Sequence, residues 1–105
     1  MATVTKQQLK EALSVVWALV YRATQVPYLA EEQTARLQEA LRVISAGMEG
    51  DDYFNRRASY LSGCVRGTGI LSIPSRKPKG TEEILSECQS LQRHLDRGSS
   101  NDHNT

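Results

Sequence analysis

One apolar spacing recurs four times along this chain. Leu9, Leu13, Val16 and Val20 step by four, three and four residues. So do Leu37, Leu41, Ile44 and Met48, then Phe54, Ala58, Leu61 and Val65, and finally Ile84, Cys88, Leu91 and Leu95. That stepping places every member of a set on one face of an α-helix. Stripes of this kind are buried by laying helices side by side. No segment shows the period-two alternation of a strand for long enough to build a sheet. The expected class is all-α: a small four-helix domain, with helices near 5–26, 30–47, 52–66 and 81–97.

Local signals set these limits. Thr5 followed by Gln8 makes a capping box ahead of the first stripe, and Pro27 predicts an end near Val26. Glu31 and Glu32 complement the dipole of the second helix, and Gly47 and Gly50 close it. Asp51 or Asp52 caps the third helix, whose end is bracketed by Gly63 and Gly67. Thr81 caps the fourth, with Glu82 and Glu83 behind it, and Gly98 stops it after Arg97. With 105 residues the chain has room for one domain, placed at 1–98, and the polar residues 99–105 read as a disordered tail.

The connection 67–80 (GTGILSIPSRKPKG) is the long one. Loops of that length in small domains are usually functional or disordered. Ile70, Leu71 and Ile73 give it apolar residues with which to dock.

Ala12–Tyr21 is a ten-residue apolar run behind Lys6 and Lys10, which superficially resembles a secretory leader. Glu11 and Arg22 bound it, no small-residue cleavage site follows, and spanning a bilayer takes about 20 residues. It therefore reads as a buried helix, with no membrane contact expected. The cytoplasm is the expected location, and Cys64 and Cys88 are expected to be reduced thiols.

The net charge of +1 conceals a local imbalance. No acidic residue lies between Asp52 and Glu82, a window that carries Arg56, Arg57, Arg66, Arg76, Lys77 and Lys79. Guanidinium and ammonium groups gathered this way attract phosphates or an acidic protein surface. Tyr53 and Tyr60, seven residues apart, share a helix face beside Arg56 and Arg57. Tyrosine with arginine is the mixture enriched where protein interfaces concentrate their binding energy. The candidate partner- or phosphate-binding residues are Arg56, Arg57, Tyr60, Arg66, Arg76, Lys77 and Lys79.

Other chemistries find little support. Gly67-Thr68-Gly69 does not lead into a helix as a phosphate-binding loop does, and Glu82 and Glu83 would repel phosphate at the helix that follows Lys79-Gly80-Thr81. Cys64, Cys88, His94 and His103 have no metal-ligand spacing. His94 has no nucleophile motif beside it, and each carboxylate pair stands at a predicted helix start. No enzyme activity, cofactor or metal is expected.

The function expected is that of a non-enzymatic accessory or regulatory protein. It would bind a larger protein, or a protein–nucleic acid complex, through the basic third helix and loop 66–79. The alternative is direct contact of the same patch with a nucleic-acid backbone. A helical core this small yields only ~3–5 kcal/mol. A homodimer through the wide face of the first helix, where Val15 and Leu19 extend the stripe, is expected to add to it.

Overall fold

The computed structural model describes residues 4–26, 29–68 and 80–104, with side-chain surroundings as far as Arg97. Its elements are α1 (Lys6–Ala23), α2 (Glu31–Ala46), α3 (Asp52–Gly67) and α4 (Thr81–Asn104). No strand occurs among the described residues. The domain is an all-α bundle of four helices.

The four stripes form its core. Every stripe residue is buried except Met48, which is half-buried at the end of its row. Each fully buried leucine, isoleucine or phenylalanine side chain contributes roughly 1.5–3 kcal/mol relative to exposure. Leu19, Ala12 and Ala23 widen the α1 contribution, and Val15 packs on the core partly buried. α1 packs against α2 and α4, and α3 packs against the same two from the opposite corner. The diagonal pairs α1/α3 and α2/α4 make no close backbone approach, so the helices form a ring around their shared apolar centre.

The α1/α4 seam is antiparallel. Lys10 pairs with Asp96 at 2.5 Å, and one turn further along α1 the Gln92 amide donates to Ser14 Oγ at 2.8 Å. Beside this seam the rings of Trp17 and Tyr21 stack at 5.3 Å.

The caps explain the helix limits. Thr5 Oγ1 accepts from the Gln8 N–H (3.1 Å) and Gln8 Oε1 accepts from the Thr5 N–H (2.8 Å), the expected capping box. α1 ends at Ala23, three residues before Val26. The Thr24 hydroxyl and the Thr24 N–H both donate to the Tyr21 carbonyl and tighten the chain into a turn before Pro27 is reached. Ala30 precedes α2 without a side-chain acceptor, and the Gln33 amide oxygen takes the Ala30 N–H at 3.0 Å.

Between α2 and α3 the corner is pinned from both sides. Gly47 has φ 73°, a left-handed conformation that glycine adopts without a Cβ penalty. Asn55 accepts from the Met48 N–H at 2.7 Å and donates to the Met48 carbonyl at 3.0 Å. A Cβ added to Gly47 would run into the Asn55 amide. Asp51 then caps α3, its Oδ1 accepting from the Phe54 N–H at 2.9 Å.

α4 does not stop at Gly98. It continues to Asn104 because one glycine costs a helix about 1 kcal/mol and leaves its hydrogen-bond ladder unbroken. The long connection does separate α3 from α4, but its central residues 69–79, including Ile70, Leu71, Ile73, Pro74 and Pro78, lie outside the described residues.

Candidate interaction surface

α3 carries two neighbouring rows. Phe54, Ala58, Leu61 and Val65 fill the core, while Tyr53, Arg57, Tyr60 and Cys64 run beside them toward α4. The second row meets α4 in antiparallel order. Tyr53 lies against His94, with ring centroids 4.8 Å apart. Arg57 forms a two-pronged ion pair with Glu87, Nε donating to Oε2 at 2.8 Å and Nη2 to Oε1. The Tyr60 hydroxyl donates to the Glu83 carboxylate. The Arg57 guanidinium also lies 5.0 Å from the centre of the Tyr60 ring.

The electrostatics follow from these contacts. The hydrogen bond from Arg57 to Glu87, with the attraction between their charges, raises the guanidinium's affinity for its proton further. The Glu83 carboxylate, with a smaller contribution from Cys64, pushes the Tyr60 hydroxyl up to about 12, so it stays protonated as a donor. Glu87 is 8% exposed, and a carboxylate so enclosed needs its arginine. At the end of the seam, Asp51 Oδ2 stands 2.8 Å from His94 Nε2. Burial alone would raise the Asp51 pKa, but the Phe54 N–H and the His94 contact outweigh it and hold the carboxyl below its ordinary value.

The structure thus brings together Arg56, Arg57 and Tyr60 among the residues singled out from sequence. Arg56 is exposed and has no ion-pair partner among the described residues. Arg57 and Tyr60 are engaged within the fold by two glutamates. Arg66 is nine residues from Arg57, about two and a half turns, so it leaves the opposite flank of α3. Its Nε approaches Ser62 Oγ at 3.4 Å. Arg76, Lys77 and Lys79 lie outside the described residues.

Among the described residues, the large hydrophobic side chains left exposed are all tyrosines: Tyr21 (47%), Tyr53 (53%) and Tyr60 (45%). Two of the three belong to this surface. Sequence reasoning did not find Glu83, Glu87 or the Asp51–His94 contact. Glu83 and Glu87 stand four apart, facing Arg57 and Tyr60 three apart, but that match becomes visible only once the α3/α4 register is known.

Among the described residues, a groove between α1 and α2 is lined by Ala12, Val15, Ala40 and Val43 with Glu11, Arg36 and Glu39, and another between α1 and α4 is lined by Ser14, Trp17, Gln89 and Gln92. Among the described residues no three histidine, cysteine or acidic side chains gather as metal ligands, and no helix is long and apolar enough to cross a membrane. Comparison with protein-family models, curated proteins and solved structures gives no match for this chain.

Proposed function

We propose that this is a non-enzymatic cytoplasmic accessory protein that binds and modulates a larger protein partner through the outer side of α3 and the basic residues 66–79. One observation carries the reading: Tyr53 and Tyr60 are each about half exposed on the same flank of α3, with the unpaired Arg56 between them in sequence. Rigid aromatic rings beside a free guanidinium supply contact area and a charge-assisted hydrogen bond at small entropic cost. Glu83 and Glu87 border the same strip. A surface of mixed sign complements a protein better than it does a polyphosphate backbone.

Affinity capture from the native host tests this. The wild-type chain should retain a defined protein after nuclease treatment, and Arg56→Glu combined with Arg76→Glu and Lys77→Glu should lose it while helicity and melting stay unchanged. Capture that survives the charge reversal counts against the surface. Capture that disappears with nuclease transfers the role to nucleic acid.

A homodimer is part of the same proposal. Leu19 is buried within the bundle, so of the two residues expected to widen the dimer face only Val15 is left, on a groove that Glu11, Arg36 and Glu39 also line. A monomeric mass by light scattering at micromolar protein would remove it.

A further inference from the structure

We infer that Ser59 is a phosphoacceptor for an arginine-directed serine kinase, and that Arg56 and Arg66 hold the resulting phosphate. The residues Arg56-Arg57-Ala58-Ser59 place two guanidiniums three and two positions ahead of an exposed hydroxyl. A kinase whose substrate groove carries carboxylates reads that pattern through charge complementarity. The half-exposed Tyr60 follows the hydroxyl directly and offers a ring for an apolar subsite.

The helix around Ser59 is suited to receive the product. Arg56 lies one turn before Ser59, on the same side, and is unpaired among the described residues. Arg66 lies two turns after it, and its contact with Ser62 shows the side chain folded back toward the start of the helix. Gly63 stands between them, exposed, with open space where a side chain would be. A phosphate on Ser59 would therefore meet a guanidinium from either side, with nothing between to exclude it.

The acceptor lies within a helix, and a kinase binds its substrate extended. α3 is the helix best able to open. It packs less extensively on its neighbours than α1 does. From Ser59 onward its sequence includes Ser62, Gly63, Cys64 and Gly67, all poor helix formers. For Arg56, Arg57 and Ser59 to be read together, α3 opens from Gly67 back past Arg56, which draws Leu61 and Val65 out of the core and parts Arg57 from Glu87, so the kinase acts on a minor, locally unfolded state of the chain. In the transfer, Ser59 Oγ bonds to the γ-phosphorus of ATP, and the bond from that phosphorus to the β,γ-bridging oxygen breaks. ADP departs with the electron pair, and the hydroxyl proton passes to the kinase's carboxylate base.

The product would bring nearly two negative charges to the exposed side of α3 beside Arg56, within the proposed docking surface. That regulatory consequence rests on the docking role proposed for α3, whereas the modification itself does not. The folded chain, incubated with magnesium-ATP and a purified kinase of this specificity, should gain one phosphoryl group, mapped to Ser59. Ser59→Ala abolishes it, and Arg56→Ala slows it by about tenfold, the worth of one charge-assisted contact. Arg66→Ala should lower the melting temperature of the phosphorylated chain more than that of the unmodified one. Labelling of a peptide of residues 53–65 without labelling of the folded chain overturns the inference, as does labelling at another hydroxyl. An Arg66→Ala effect that is equal with and without phosphate overturns the cradle. Labelling that leaves partner capture undiminished keeps the phosphoacceptor and removes the docking role.

Discussion

Asp51 and His94, forty-three positions apart, meet at 2.8 Å while the other oxygen of the same carboxylate caps α3. One side chain thus starts a helix and ties it to the last one. The folded Asp51 carboxyl is held below its ordinary value, so its contribution is fully present above the usual aspartate range, about pH 4. It is lost as pH falls through the folded value. Asp51→Ala should cost about 1–2 kcal/mol at neutral pH, the worth of a good N-cap and its partner. Urea unfolding across pH should show the gap between variant and wild type closing in acid. A gap that stays constant down to about pH 2 would count against the ionised cap.

Arg57 and Glu87 predict an asymmetry. Removing Arg57 strands an enclosed carboxylate, whereas removing the exposed Arg56 strands nothing. Arg57→Ala should therefore lower the melting temperature clearly and Arg56→Ala hardly at all. Adding Glu87→Gln to Arg57→Ala should recover part of the loss, because the buried charge has gone. Equal melting of the two arginine variants would contradict the assignment.

The corner between α2 and α3 distinguishes two glycines of positive φ. Gly47 (φ 73°) faces Asn55, whereas Gly50 (φ 83°) faces open space. Gly50→Ala carries only backbone strain, about 1 kcal/mol. Gly47→Ala carries that strain and also displaces the amide that holds Met48, so it should cost about 2 kcal/mol or more. Denaturant melts that ranked the two in reverse would show that the Asn55 latch is not holding the turn.

The two thiols should react at different rates. Burial pushes the Cys88 thiol up to about 12, leaving on the order of one thiolate in a hundred thousand at pH 7. Cys64 is half-buried on the rim of α3. A thiol reagent should label one cysteine per chain in the native state and the second only on unfolding. In Cys64→Ser, labelling should be limited by opening of the bundle. Native-state labelling of Cys88 as fast as that of Cys64 would refute this.

The helices themselves were legible because their signals are local. Leu9 to Val20 share a face by arithmetic, Thr5 and Gln8 cap by proximity in sequence, and Asp51 stands where a cap is needed. The ends were harder: Thr24 closes α1 ahead of Pro27, and Gly98 is carried through by the helix around it. The surface was less legible still. An acid-free window counts neighbours along the chain, but charges are matched across seams, and Glu87 reaches Arg57 from thirty residues away. The register that aligns them comes from packing the two apolar stripes, which no single segment encodes.

The antiparallel seam between α1 and α4 carries one more implication. Lys10 and Asp96 touch, so the beginning of the first helix and the later turns of the last run side by side at the same end of the bundle. A short flexible linker from residue 104 back to residue 4, with new termini opened within 69–79, gives a circular permutant in which every helix keeps its neighbours. The order in which the helices are synthesised is then separable from the way they pack.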